Sequence, residues 1–259
     1  KKSKYPKDQF GLVPSRPFAC PKNKELIYFV SDNFDKKKWN GVIAFDSNSQ
    51  QMKRLQAFPT NTSIYNGHSY CYHANSHKIF ILEPFDEKVI SYDIASKQWS
   101  EHQINEKIGM DASMICVEDT IHIFGGQYNQ HHLMYDINTK SIRKALQLWP
   151  HKLEHTQCVH IPNTSTVFVM GGQHENEDGE DEYSAAMCSV SFSGSARCSI
   201  SGKYTMPKPL SQVAAIFVHP FILLFGGYST DGAESDNIYS FDINKHEWRE
   251  SSIKIPSEE

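Results

Sequence analysis

The sequence predicts an all-β fold, built as an array of similar repeats of four short strands. Two observations lead to this prediction. Segments of the form apolar strand, Gly-Gly, polar loop and aromatic-Asp strand recur, as in residues 121–142 (IHIFGG, then MYDINTKSI) and 221–248 (FILLFGG, then YSFDINKHEW). In four places, an Asp is followed six residues later by a large apolar residue. Such a repeat cannot bury its hydrophobic face alone, so neighbouring repeats must stack.

The composition excludes two classes of partner. The chain has 259 residues, of which 39% are hydrophobic and 22% charged, and a net charge of −4. A nucleic-acid-binding surface needs clustered positive charge, which this balance does not favour. No apolar run approaches the roughly 20 residues that cross a bilayer. We therefore expect no nucleic-acid partner and no membrane partner.

The cysteines favour a reducing compartment. Four of the six, at positions 20, 71, 116 and 158, occupy matching places in apolar strands, where reduced thiols act as small hydrophobes. Cys188 and Cys198 flank a predicted hairpin, and a cross-strand disulfide is the alternative there. The chain opens with Lys-Lys-Ser-Lys and shows no signal peptide. We expect a fragment of a longer, cytoplasmic protein.

The elements follow in order along the chain. Residues 1–16 are basic and are predicted to be a lead-in or linker. The repeats are predicted at about 17–56, 65–103, 111–147, 155–201 and 211–256. In each repeat the second strand is the most apolar, as in LIYFV, KIFIL and FILLF. The first two repeats lack the glycine pair, and the fourth lacks the Asp-to-Trp turn.

The spacing after each Asp predicts a tight turn between the third and fourth strands. Six residues separate Asp46 from Met52, Asp93 from Trp99, Asp136 from Ile142 and Asp242 from Trp248. The intervening Asn, Ser, Thr and Lys residues are typical of hairpin turns. The aromatic residues of the third strand, together with the Trp, are expected to pack between neighbouring repeats. The glycines are expected where φ is positive or a side chain would collide.

The glycine pairs at 125–126, 171–172 and 226–227, each followed by an aromatic-Asp strand or its degenerate form, resemble kelch repeats. The resemblance covers about residues 17–256 and implies a kelch-type β-propeller with five recognisable four-stranded blades. A sixth blade is the alternative, with a closing strand from residues 4–10 or from the segment after residue 250. In kelch propellers the loops between second and third strands share one face with the loops between blades. The resemblance therefore implies that this loop face is the binding surface.

Aromatic and polar residues in the predicted face loops are the candidate partner-binding residues. They could anchor a bound peptide, or they could plug the mouth of the central channel. The candidates are Tyr65, Asn66, His68, Tyr128, His131, Trp149, His151, Tyr204, Tyr228 and Asp231. Clustered histidines such as His131-His132 can bind metal, but no zinc-type Cys/His spacing accompanies them. We expect surface histidines there, with no metal and no cofactor.

Residues 174–182 (HENEDGEDE) form an acidic segment with six carboxylates and no base. The acidic residues are Glu175, Glu177, Asp178, Glu180, Asp181 and Glu182. One interpretation is a mobile, solvated loop that self-repulsion keeps from ordering. The other is an acidic arm that steers a basic partner. The spacing does not match a calcium-binding loop.

The resemblance implies a protein-interaction module more than an enzyme. Kelch propellers often follow a BTB domain that engages a cullin-3 ubiquitin ligase, and the propeller then holds the substrate protein or peptide. The alternative is a cytoskeletal, actin-associated scaffold. Kelch enzymes are a third class, but no Ser/His/Asp order, phosphate-binding glycine loop or complete iron-binding motif is present. We therefore expect no enzymatic activity.

Overall fold

The computed structural model describes residues 18–20, 23–31, 41–59, 69–83, 86–149, 151–193 and 197–256, with residues 18–31 and 197 described by their backbone. The backbone forms two compact units, residues 1–105 and residues 106–259. The predicted lead-in, residues 1–16, lies outside the described residues.

The first compact unit contains two four-stranded antiparallel sheets, hereafter blades 1 and 2, in which neighbouring strands are consecutive in sequence. Blade 1 consists of β1 (Phe18–Cys20), β2 (Asn23–Ser31), β3 (Gly41–Asp46) and β4 (Gln51–Ala57). Blade 2 consists of β5 (Ser69–His73), β6 (Lys78–Glu83), β7 (Lys88–Asp93) and β8 (Gln98–Gln103).

The second compact unit contains three further four-stranded sheets and one small hairpin. Blade 3 consists of β9 (Ser113–Val117), β10 (Thr120–Phe124), β11 (His131–Asp136) and β12 (Ile142–Gln147). Blade 4 consists of β13 (Gln157–His160), β14 (Thr166–Met170), β17 (Ala186–Ser193) and β18 (Arg197–Thr205), with the hairpin β15 (Gln173–Glu175) and β16 (Asp181–Tyr183) between its second and third strands. Blade 5 consists of β19 (Ala214–Val218), β20 (Phe221–Phe225), β21 (Ile238–Asp242) and β22 (Glu247–Glu250).

The predicted all-β fold of four-stranded repeats is confirmed, and the part of the chain that the structure describes forms five such sheets. Every predicted strand is present, and most boundaries agree within two residues. The largest differences are at the last strands of two blades. In blade 5 the repeat was expected to run to residue 256 and its fourth strand ends at Glu250, and in blade 4 the fourth strand was expected to end at residue 201 and extends to Thr205. None of the described residues forms a helix that is long and apolar enough to cross a bilayer. The five cysteines with described side chains are free thiols, so Cys188 and Cys198 do not form the alternative disulfide.

The Asp residues build the predicted turns through their side chains. In blade 3, Asp136 Oδ1 accepts hydrogen bonds from the backbone N–H of Asn138 and Thr139, at 3.0 and 2.8 Å. The same pair of bonds forms at Asp46, Asp93 and Asp242. In blades 1 to 3, the N–H three residues beyond the Asp lowers the pKa of its carboxyl. The residue four positions beyond each Asp has positive φ and closes the turn.

The glycine pairs exist because the backbone between blades passes against them. A Cβ on Gly125 would collide with the carbonyl oxygen of Leu153, and one on Gly171 would lie 2.5 Å from that of Leu210. A Cβ on Gly172 would lie 2.7 Å from the carbonyl oxygen of Glu154. Each of these glycines also has positive φ. Both parts of the sequence expectation, positive φ and collision, are therefore confirmed.

Trp99 packs between blades as predicted. Its ring lies 4.8 Å from that of Tyr92 in its own blade and 5.2 Å from that of Phe58, which follows β4 of blade 1. Its indole N–H donates to the carbonyl of Ala57 at 2.9 Å. This aromatic contact joins a hydrophobic core that contains Val42, Ile79 and Ile90. Burial of such ring area is the main stabilising term at a sheet-to-sheet contact.

Candidate functional site

Within the second compact unit, the segment between blades 3 and 4 lies against the loops of both blades. Leu153 accepts a backbone hydrogen bond from Gly126 of blade 3 at 2.8 Å. Glu154 exchanges two backbone hydrogen bonds with Gln173 of blade 4, at 2.8 and 3.0 Å. The segment that joins blades 3 and 4 therefore meets, on one side of the unit, the loops between the second and third strands of both blades. We call this side the loop face.

The acidic segment forms an ordered hairpin at this loop face. β15 and β16 pair in antiparallel register, with Gln173 opposite Tyr183 and Glu175 opposite Asp181. Asn176 Oδ1 accepts from the backbone N–H of Asp178 and Glu180, at 3.0 and 2.9 Å, and fixes the tip. The expectation of a loop without order was wrong, because backbone pairing and the Asn176 side chain outweigh the charge repulsion. We call residues 173–183 the acidic hairpin.

A pocket of about 300 Å³ lies between the acidic hairpin and the segment that joins blades 3 and 4. Trp149, His151 and Leu153 form the side contributed by the joining segment. The other side comes from the hairpin and the start of β17, and its residues are His174, Glu182, Tyr183, Ser184, Ala185 and Ala186. We call this space the hairpin pocket.

Two buried nitrogen atoms in the wall of the hairpin pocket have no hydrogen-bond partner among the described residues. They are Nε1 of Trp149 and Nδ1 of His174. Trp149 is 5% exposed, and the His174 side chain is 11% exposed. The other ring nitrogen of His174, Nε2, lies 3.7 Å from a carboxylate oxygen of Glu182. Both atoms are closed to solvent, so they lie inside the pocket wall and are not exposed to the pocket itself.

The imidazole of His151 completes one wall. It stacks on the ring of His174 with the centroids 3.9 Å apart and the planes at 16°. His151 is exposed, so this pair of rings extends from the pocket wall to the surface. Stacked flat rings give a bound planar group a surface to pack against.

Four of the predicted partner-binding residues lie on exposed or half-exposed loops. Tyr128 is 47% exposed and carries the Lys107 ammonium 4.3 Å above its ring. His151 lies at the hairpin pocket. In blade 5, the hydroxyl of Tyr228 donates a hydrogen bond to Glu234 at 3.0 Å. This bond raises the pKa of the Tyr228 phenol. The Ser229 hydroxyl donates to Asp231 and lowers the pKa of that carboxyl.

Three of the predicted residues occupy different positions from those expected. Trp149 is not an exposed anchor, because it is buried in a hydrophobic core with Phe124 and Leu153. Tyr204 lies within β18, where its ring packs 5.1 Å from that of Phe241. His131 begins β11 as a half-buried strand residue. Tyr65, Asn66 and His68 lie outside the described residues.

His132, expected at the surface, is fully buried beside His122. The two rings share a hydrogen bond of 2.9 Å, and His132 Nδ1 lies 3.2 Å from Sγ of Cys198. The ring of Phe192 stacks on His122 at 3.8 Å. Burial lowers the pKa of His122 to about 2 and that of His132 to about 3. Both imidazoles are therefore neutral in the folded chain, and they join blade 3 to blade 4.

Asp111, Glu154 and His155 are the described residues that could hold a metal ion. One donor atom from each lies within 4.8 Å of the others. Nδ1 of His155 already pairs with an Asp111 oxygen at 3.2 Å, and burial raises the pKa of Glu154. Two carboxylates and an imidazole suit a divalent cation. The contact between His155 and Asp111 satisfies two of the three groups without a metal ion. The expectation of no metal stays a prediction.

The residues that sequence reasoning missed are His174, Tyr183 and Ser184. His174 was included in the acidic segment without a role of its own. The signal that could have found the hairpin is the dipeptide Asp178-Gly179, which favours a tight turn between short strands. Pairing outward from a two-residue turn there would place His174 opposite Tyr183. The observed tip has three residues, 177–179, inside the Asn176–Glu180 backbone hydrogen bond, and His174 therefore lies opposite Glu182.

Comparison with known proteins supports the fold. No family model matches this chain. No curated protein matches its sequence. Among solved structures, one titled "Structure of YjhT" is similar, with a TM-score of 0.68 and 11% sequence identity. The match covers 91% of this chain and 83% of that one.

At this identity the likeness concerns the fold. The five four-stranded antiparallel sheets and the match over most of the chain are those of a propeller-type all-β fold. The function of the chain must be argued from its own residues.

Proposed function

We propose that the chain is a protein-recognition module of the kelch-propeller type, and that its loop face binds a positively charged segment of a substrate protein. The observation that carries this proposal is the acidic hairpin beside the hairpin pocket. Six carboxylates and no Lys or Arg occupy nine consecutive residues there. The hairpin holds these charges in a fixed arrangement at the edge of a concave site.

Such an arrangement attracts cations and repels anions. Glu175, Glu177, Asp178, Glu180, Asp181 and Glu182 are all exposed. A cluster of one sign beside a low-dielectric cavity raises the local concentration of oppositely charged segments and their association rate. Of the described cations near this face, Lys107 is paired with the ring of Tyr128, and Lys152 is exposed in the segment that joins blades 3 and 4. A Lys- or Arg-bearing polypeptide is therefore the partner that the charge favours.

The kelch resemblance supports a particular cellular role. Its repeats suggest the substrate-recognition domain of a cullin-3 ubiquitin ligase adaptor, in which an upstream BTB domain binds the ligase. Free cysteines are consistent with the reducing cytoplasm where such adaptors act. In this role the chain binds its substrate and is not an enzyme.

Affinity capture from cells tests the proposal. The bait is the chain with its native upstream sequence, beside a matched bait whose six hairpin acids are replaced by Gln or Asn. We expect the natural bait to retain cullin-3 and at least one protein with a basic segment. The neutralised bait is expected to retain cullin-3 and to lose the basic protein, because the ligase contact lies elsewhere.

Two results would change the interpretation. Capture of actin or other filament proteins without cullin-3 would favour the cytoskeletal scaffold. Capture of the same proteins at the same level by both baits would show that the acidic hairpin does not select the partner, and would contradict the proposal.

A further inference from the structure

A second pocket lies between blades 3 and 4, at the ends of the strands opposite to the loop face. Its volume is about 290 Å³, and it is bounded by the β9–β10 turn, the Asp turn after β11, and Ser165 and Phe192 of blade 4. We call it the turn pocket. We propose that it binds a small organic cation that has an ammonium group at the rim, a flat hydrocarbon body inside and a hydroxyl group at the inner end. This inference goes beyond the proposed function and does not depend on it.

The rim of the turn pocket carries negative charge. Glu118, Asp119 and Asp136 line the pocket, and none of the described residues that line it is Lys or Arg. The Asp136 carboxyl already has partners, since the N–H of Thr139 and, more weakly, the charge of Arg143 lower its pKa. Glu118 and Asp119 are exposed at the mouth. Their carboxylates attract an ammonium group to the mouth and repel an anion.

The interior of the turn pocket is apolar and has a flat ring in its wall. Val117 and Met134 are buried, and Phe192 is half buried. The ring of Phe192 stacks on that of His122 with the centroids 3.8 Å apart and the planes at 24°. Burial lowers the pKa of His122 to about 2, so its imidazole adds no positive charge that would repel a cation. These walls suit an aromatic body.

His122 gives the interior one polar atom. The residue lines the turn pocket and is 3% exposed. Its Nδ1 shares the hydrogen bond with His132, whereas Nε2 has no hydrogen-bond partner in the described part of the chain. Nε2 is not among the described atoms that are both unpaired and closed to solvent. It therefore keeps access to the pocket, in contrast to Nε1 of Trp149.

A hydroxyl group pairs with this nitrogen whichever ring nitrogen of His122 carries the proton. The contacts of His132 with His122 and with Cys198 are compatible with either tautomer. A protonated Nε2 donates to the hydroxyl oxygen, and an unprotonated Nε2 accepts from the O–H. An unpaired polar atom in a buried site costs free energy, so a ligand that pairs with it is favoured.

Titration of the full chain with three small molecules tests this inference. Tyramine has the ammonium group, the aromatic body and the hydroxyl. Phenethylamine lacks the hydroxyl, and 3-(4-hydroxyphenyl)propionate has a carboxylate in place of the ammonium. Backbone ¹⁵N–¹H shifts measure the affinities, and we expect them to move at residues 118–120 and 192. We expect saturable binding of tyramine, about three- to tenfold weaker binding of phenethylamine because one hydrogen bond is lost, and no binding of the propionate.

Two double variants locate the ammonium group. Glu118→Gln with Asp119→Asn removes the two exposed carboxylates of the rim, and we expect the affinity for tyramine to fall about fivefold. Glu177→Gln with Asp178→Asn makes the same change of charge in the acidic hairpin and should leave the affinity unchanged. All four side chains are exposed, so both variants should melt like the natural chain.

Three results would overturn the proposal. They are no binding of tyramine, equal binding of the propionate, and equal loss of affinity in the two double variants, which would mean that the amine binds surface carboxylates in general. Equal affinities for tyramine and phenethylamine would overturn the contact between the hydroxyl and His122. These outcomes are separate from the capture experiment, which concerns the loop face.

Discussion

Blades 3 and 4 share one plan and differ in two places. In both, the second strand pairs with the third in the same register, which sets Thr120 opposite Asp136 and Thr166 opposite Ser191. Blade 3 has the Asp-based turn and a short loop, residues 125–130, between its second and third strands. Blade 4 has Ser191 in place of the Asp and inserts the acidic hairpin into the equivalent loop.

The difference separates framework from site. The features common to both blades, the glycine pair and the apolar second strand, are explained by close backbone approach and burial. The acidic hairpin, which blade 4 alone of these two carries, presents exposed carboxylates and lies at the hairpin pocket. Stability is carried by the shared plan, and the recognition that we propose is assigned to the departure from it.

The largest expected effect concerns the contact that joins the two blades. His122 and His132 have folded-state pKa values of about 2 and about 3, below the usual 6.5. Above pH 6.5 they are neutral in both folded and unfolded chains, and their contribution to stability is fully present. Below it, the unfolded chain takes up protons that the folded chain excludes. Stability should fall by about 4 kcal/mol between pH 7 and 5.

Urea unfolding at pH 7, 6 and 5 measures this loss. The double variant His122→Gln, His132→Gln should flatten the dependence in that range, since the lowered Asp pKa values act below about pH 4. Equal stability of the natural chain at pH 7 and 5 would show that the pair is not buried and neutral as described.

The second effect compares a framework glycine with a hairpin glycine. Gly125→Ala places a methyl group against the Leu153 carbonyl at a φ of +70° and should cost about 3 kcal/mol. Gly179→Ala has a φ of +80°, but its nearest neighbour is 3.6 Å away, so it should cost about 1 kcal/mol. Thermal unfolding of both variants gives the comparison. Equal losses of stability would mean that glycine is required at position 125 because of its positive φ, and not because of the close approach of the Leu153 carbonyl.

The smallest effect compares the same register position in the two blades. Asp136→Ala removes two hydrogen bonds to the turn and should cost about 1 kcal/mol at pH 7. Ser191→Ala removes hydroxyl contacts with Thr166 and Ser201 at the surface and should cost less than about 0.5 kcal/mol. Chemical denaturation measures the free energy of unfolding of both variants. A larger loss of stability for Ser191→Ala than for Asp136→Ala would contradict the assignment of Asp136 as the turn-forming residue.

The framework could be predicted from the sequence because its causes are local or periodic. The six-residue spacing after Asp136 identifies the turn, and the glycine pair at 125–126 identifies the end of a strand, without knowledge of any partner. The site required tertiary information. Trp149 looked like a surface aromatic in a loop, and its burial depends on a core that includes Phe124 of blade 3 and Val169 of blade 4.

Histidines show the same limit. His131 and His132 are adjacent and polar, and nothing in the sequence alone distinguishes one from the other. Because strand residues alternate between two sides, His132 is buried beside His122 while His131 is half exposed. For the acidic segment, charge alone favoured a mobile loop, whereas the pairing of residues 173–175 with 181–183 depends on a turn at residues 177–179.

The most direct test of the account exchanges the feature that distinguishes the two blades. Residues 173–183 of blade 4 are replaced by Gln-Tyr-Asn-Gln, the residues 127–130 that blade 3 carries after its glycine pair. Protein capture from cells and thermal unfolding are then measured in parallel with the natural chain. We predict melting within a few degrees of the natural chain and loss of the basic protein partner. Retention of that partner by the exchanged chain would contradict the claim that the acidic hairpin recognises it.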